Sequence, residues 1–251
     1  MNILSSYKFQ VKSHVKPIIV FFLIITAIYI IDIASSIFEA SFSGSVEINI
    51  SGQGMALFVF IFIMGISIFS ENFHMLIQNG ISRKSMFIGR LATVLTVSAV
   101  GTVVNKLLEL VFASIGNSNM SSETFSAMLY NDYFAGAGFF GGVFTDLLWT
   151  FSLCVALTSV GYFIATLMYR LPKYGKFIFW GALWAVCMIV MPVLEYLLFD
   201  GAIWKALFNF VLFATGISAG NPFVMTVSCG VVFAVFSAVT WLILCKLPVK
   251  K

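Results

Sequence analysis

Apolar residues fall into six long blocks, separated by short segments that hold most of the charge. The blocks run over 17–38, 53–70, 85–114, 140–169, 177–199 and 223–245, each near or above the ~20 residues a helix needs to cross a hydrocarbon core. They are too long and too uniformly apolar for barrel strands, which alternate over about ten residues, so the pattern predicts six membrane-spanning α-helices. A seventh apolar stretch lies in 200–222. It begins after Asp200-Gly201, carries Lys205 and ends in Gly216, Gly220 and Asn221-Pro222. It reads as an outer re-entrant hairpin before span six.

The charges fix the expected orientation. Lys8, Lys12 and Lys16 precede span one; Arg83, Lys84 and Arg90 lie between spans two and three. Arg170, Lys173 and Lys176 lie between spans four and five, and Lys246, Lys250 and Lys251 follow span six. The alternate segments hold Glu39, Glu47, Glu123, Asp132 and Asp200, with Lys205 their one base. The positive-inside rule then puts both termini in the cytosol. A seventh crossing would send the basic tail outside.

Residues 1–16 have Ile3, Leu4, Tyr7, Val11 and Val15 on one helical face and three lysines at i, i+4 spacing beside it. They read as an amphipathic helix on the inner leaflet, or as a basic tail flanking span one. No small-residue cleavage site ends the first apolar block, which argues against a cleaved signal. Composition agrees: 61% of the 251 residues are hydrophobic and 10% charged, which excludes an ordinary globular domain. The formal charge of +4 is too small to suggest nucleic acid. The four cysteines sit in apolar stretches and read as buried small hydrophobes. His14 and His74 form no ligand pattern, so no metal site is expected. Phosphate-loop, HExxH, GxSxG and dinucleotide motifs are missing, so the chain is not read as an enzyme and binds no cofactor of its own.

The most informative segment joins spans two and three, Glu71 through Arg90. Glu71, Phe73, His74, Leu76 and Ile77 fall in a short helix with Phe73, Leu76 and Ile77 on one face. Asn79-Gly80 supplies a C-cap tolerant of the left-handed conformation, and Ser82 can cap the helix that begins with Arg83 and Lys84. This predicts a rigid helix–turn–helix over 71–84, serving as a connector or as a handle for a partner. With its Asn-Gly-Ile-Ser-Arg-Lys run and the layout of the whole chain, it resembles the six-span permease subunits of bacterial ABC exporters (type 2 exporter class, similar in architecture to the G subfamily). The resemblance implies that Glu71–Gln78 with Asn79, Gly80, Arg83 and Lys84 is a coupling helix docking on a separate cytosolic ATPase. ATP and Mg would be bound by that subunit, and two permease chains, identical or sister, would pair. The terminal surface helix and the hairpin before span six also have counterparts in that family.

Asp32, Lys106, Glu109, Asp146 and Glu195 interrupt apolar runs. Counting about 1.5 Å per residue from the nearest inner base puts all five in the outer quarter of the bilayer or at its outer boundary. Lys106 and Glu109 are i, i+3 and can pair. The five are either interfacial residues that snorkel or pair between helices, or an acidic outer vestibule favouring a cationic cargo. No charge falls near a midplane, which argues against an ion-coupled transporter. The 28 Phe and 11 Met suit an amphipathic or hydrophobic cargo such as a peptide toxin or antimicrobial. Gly65 with Ser67, Gly161 with Ala165, and Gly230 with Ala234 are places where helices can approach closely. A substrate-capturing module of a vitamin or metal importer, and a non-transport scaffold or sensor, are the competing readings.

Overall fold

The first 41-residue helix, α1 (Ile3–Ser43), runs without interruption from the basic N-terminal turns through the first apolar block. Pro17 lies inside it, removing one ladder bond without ending the helix. A computed structural model describes residues 3–43, 53–115, 124–195 and 202–246. Glu47, Glu123, Asp200, Lys250 and Lys251 lie outside the described residues.

All described elements are helical. After α1 come α2 (Gln53–Ser67), α3 (Phe69–Gln78), α4 (Arg83–Ile115), α5 (Phe125–Leu129), α6 (Asn131–Gly136) and α7 (Phe139–Arg170). Then follow α8 (Lys173–Ala185), a π-helical turn (Val186–Val190), α9 (Met191–Leu194), α10 (Ala202–Thr215) and α11 (Pro222–Cys245). Six of the resulting helical bodies are long and apolar enough to span a membrane. Ala202–Thr215 is shorter than a span, in keeping with six crossings rather than seven.

Two details add to the expected layout. The short helix α3 follows span two as expected, and with α2 it makes one span-length body, Gly54–Gln78. A turn at Ile68 separates the two, where the Ile68 N–H reaches the Met64 carbonyl at 3.4 Å and the Asn72 N–H reaches the Ile68 carbonyl at 3.3 Å. The Ser67 hydroxyl donates back to the Ile63 carbonyl at 2.9 Å, a bond that bends helices. In span five, Pro192 lacks an N–H and crowds the carbonyl four residues earlier, and the chain responds with the wider turn Val186–Val190.

Helix α7 is the hub. It packs on α2, α11 and α4, while α1 packs along α4. Where α2 crosses α7, Gly65 faces Gly161. A Cβ on Gly161 would lie 2.7 Å from the Phe62 carbonyl oxygen, and one on Gly65 2.9 Å from that of Thr158. Gly89 meets α1 in the same way, at Ser6. Gly230 meets nothing within 4 Å, so its small size serves no close crossing. Toward the N-terminal end of α7, Leu57, Phe58 and Trp149 form a cluster with Tyr130, which the α5–α6 segment tucks inward. The Tyr130 hydroxyl donates to the Thr215 carbonyl, tying that segment to the end of α10. Burial pushes its phenol pKa up, keeping the donor proton in place. Gly216 and Gly220, at φ 69° and 61°, fold α10 back onto α11 as a hairpin. Among the described residues, α8 packs closely only on its own continuation, and it presents Tyr174, Phe177 and Trp184 outward.

Candidate functional site

The helix–turn–helix at the basic end is built by caps the residues dictate. Gly80 has φ 68°, its N–H bonds the Ile77 carbonyl at 2.9 Å, and the Ile81 N–H bonds Leu76 at 3.0 Å. These are the two bonds of a Schellman motif, and Ile81 and Leu76 join the same buried cluster, as its hydrophobic contact requires. Ser82 then caps α4, accepting the Ser85 N–H at 3.3 Å. The element has two unlike faces. Phe73 and Leu76 are buried with Phe69, Met86, Tyr162, Ala165 and Leu244, and Ile77 packs at the edge of that cluster. Glu71, Met75, Gln78, Asn79, Gly80 and Lys84 are exposed. His74, half-buried, meets the Tyr169 hydroxyl at 3.1 Å. Arg83 donates to the carbonyls of Leu244 and Cys245 at 3.1 and 2.6 Å, satisfying acceptors that the end of α11 leaves open. Of the nine residues the sequence singles out here, Phe73, Leu76 and Arg83 therefore hold the element onto the spans, whereas Glu71, Asn79, Gly80 and Lys84 face outward.

Beneath this element lies a buried polar network with no counterpart in the sequence reading. The side of α1 that faces α3 and α4 is Ser6, Gln10 and His14, at i, i+4 and i+8, while Ile3, Leu4 and Val15 point away. The first turns of α1 thus turn a polar stripe to the protein, while Ile3, Leu4 and Val15 stay outside with Lys8, Lys12 and Lys16. Gln10 Nε2 donates to Ser6 Oγ and to the Met86 carbonyl at 3.0 and 3.1 Å. Asn72 Nδ2, on α3, donates to Ser13 Oγ at 3.1 Å. His14 Nδ1 lies 2.6 Å from the Gln10 carbonyl, which can only accept, so Nδ1 carries the proton. The lone pair of Nε2 then accepts from Arg90 Nη1 at 2.8 Å. Arg90 is 2% exposed, its guanidinium carbon is 4.7 Å from the centre of the Tyr162 ring, and its Nε and Nη2 have no partner. Sequence placed His14 and Arg90 as separate flanking residues. The stripe Ser6–Gln10–His14 was the signal that could have united them.

At the other end, three of the five charges that interrupt the apolar runs come together. Lys106 Nζ lies 2.6 Å from Asp146 Oδ2 and 3.2 Å from Glu109 Oε2. Asn105 Nδ2 donates to Glu109 at 2.8 Å, and Ser126 Oγ to Asp146 at 2.5 Å. The group joins α4, α5 and α7 by charge-assisted bonds among buried and half-buried side chains. Glu195 is buried and accepts the Trp204 N–H at 3.1 Å, so one oxygen caps α10. Asp32 is half-exposed on α1. Two of the four carboxylates are thus engaged by the single lysine. Cys154 and Cys229 are buried as expected, but Cys187 and Cys245 are exposed. Among the described residues, no group of three metal-ligating side chains occurs.

Compared with known protein families, with curated proteins and with solved structures, the chain has no match.

Proposed function

We propose that this chain is the membrane-spanning permease of an ATP-driven exporter, served by a separate cytosolic ATPase of the ABC class that binds ATP and Mg. The observation that carries the reading is the capped α3–α4 element. Its buried face grips α1, α7 and α11 through Phe73, Leu76, Asn72 and Arg83, while Glu71, Met75 and Gln78 recur on its free face. A force applied to the free face reaches four spans without passing through a flexible joint, which is what coupling to an ATPase demands. Both termini lie in the cytosol and α10 is a re-entrant arm on the outer side. A second permease chain covers the apolar faces that α8 presents outward. The cargo is amphipathic or hydrophobic; with Glu109 and Asp146 neutralised in part by Lys106, little charge remains there to demand a cation.

Affinity purification of the full chain from its native host in mild detergent tests this. A stoichiometric ATPase is expected to co-purify and to be lost in Glu71→Lys with Lys84→Glu, or when a residue is inserted between Asn79 and Gly80. Arg83 is a poor probe, since its reversal would detach α4 from α11. A folded chain recovered with no ATPase refutes the proposal.

A further inference from the structure

Arg90 raises a question that coupling leaves unanswered: what balances its charge. Its neighbours are a neutral imidazole and an aromatic face, and among the described residues no carboxylate pairs with it. A buried guanidinium without an anion is costly, by several kcal/mol even after relaxation. The unpaired atoms are also a particular pair. Nη1 is taken by His14, leaving Nε and Nη2, whose N–H bonds run parallel along one edge of the guanidinium. That edge is the fork that receives two oxygens of a carboxylate or phosphate.

Arg90 lines two small cavities. One lies toward Gln10 and Asn72. The other lies between α4, α7 and α11, beside Ser159, Ser237 and Thr240. Ser159 and Thr240 spend their protons on their own helices, at the Ala156 and Phe236 carbonyls. Ser237 also lines this cavity, with a hydroxyl able to donate to an incoming acceptor. Beyond the Arg83 bonds at the end of α11, that helix touches α4 sparsely along this seam, where the Phe87 and Trp241 rings meet at 5.1 Å. Each cavity now has room for about one water molecule, so a larger group enters as α11 moves off α4.

We propose that Arg90 is the base of a binding site for an anionic oxygen group, a carboxylate or phosphate, held on the Nε/Nη2 edge with Ser237 as a further donor. The site stands or falls independently of an ATPase partner. The source of the anion is either a free ion or the headgroup of an amphiphile lying between the helices.

The test is the thermal unfolding midpoint of the full chain in an uncharged detergent. In one arm, sodium acetate or phosphate replaces chloride at constant ionic strength. In the other, a short-chain phosphatidic acid is compared with the matching phosphatidylcholine. A saturable rise of about 3–6 °C at ten times Kd is expected in at least one arm. It should vanish in Arg90→Lys, which keeps the charge without the fork, and persist in Lys84→Gln. A rise in the first arm assigns a free ion; a rise confined to phosphatidic acid assigns a headgroup. Should Arg90→Lys not fold, Ser237→Leu, which fills the seam, is expected to remove the rise. No saturable rise in either arm, or an equal rise in the folded variants, overturns the proposal.

Discussion

The crossing of α2 and α7 allows a quantitative test of how this bundle is held together. A methyl group on Gly161 would sit 2.7 Å from the Phe62 carbonyl oxygen and 3.4 Å from both Gly65 Cα and the Ile66 nitrogen. These are backbone atoms, which no rotamer change can move aside. Ordinary contact begins near 3.4 Å, so Gly161→Ala requires the two helices to part by about 0.7 Å or to slide. Overpacking of this kind costs about 1–3 kcal/mol. Alanine also favours the helix over glycine, by up to about 1 kcal/mol, so the raw change understates the clash. Gly230→Ala on α11 supplies the correction, since nothing lies within 4 Å of its would-be Cβ. The difference between the two variants isolates the steric cost.

The chain carries its own reporter for this measurement. Cys154 and Cys229 are buried, and Cys187 and Cys245 are exposed. Replacing the exposed pair by serine leaves two thiols that a reactive dye reaches only on unfolding. Gly161→Ala should melt on the order of 3–8 °C below Gly230→Ala. Equal midpoints would refute the close crossing, and with it the placement of α7 as the hub.

Other consequences follow from the polar groups and caps. Lys106→Met leaves Glu109 and Asp146 without their cation and should cost about 3–5 kcal/mol. Adding Asp146→Asn should restore part of the loss, read by the same dye assay. Gly80→Ala meets no steric obstacle but forces a Cβ into φ 68°; a loss of about 1–2 kcal/mol is expected, with Gly80→Asn milder. Tyr130→Phe removes the tie to Thr215 and should lower stability by about 1 kcal/mol, with faster proteolysis of the α5–α6 segment as the readout.

What the sequence made legible was what one helix can determine alone. The six apolar bodies, the Gly80 stop, the Ser82 cap and the Lys106–Glu109 pair all depend on residues within a few positions of one another. What stayed hidden depends on two helices meeting. Asp146 is as far from Lys106 in sequence as any random pair, and only the α4–α7 contact unites them. Phe73 and Leu76 show a periodic apolar face, but periodicity cannot say whether that face meets a partner or the chain's own core. The α5–α6 segment reads as an outer loop because its burial rests on Ser126 and Tyr130, which fall in no helical or strand period that marks a buried face. The sequence reading of α1 followed its apolar face and its lysines and passed over Ser6, Gln10 and His14, whose partners on α4 are set only by how the two helices meet.

That polar stripe explains how the basic end is organised. Apolar side chains distinguish poorly between a neighbouring helix and lipid tails, so their burial gives little preference for one arrangement of spans over another. Hydrogen bonds from Gln10, Ser13, His14 and Asn72 do distinguish, because lipid offers them no partner. They fix α1 against both α3 and α4 at one level of the bundle. Arg83 fixes α11 to the same place, and His74 fixes α7. Among the described residues, α8 and α10 contribute no such bonds to this end, and α8 packs closely on none of the pinned spans. The bundle therefore divides into spans pinned to the α3–α4 element by polar contacts and one span free of it. A push on that element would move the pinned spans past α8, and the Arg90 seam, where α4 and α11 touch sparsely beyond the Arg83 bonds, lies among the spans that move.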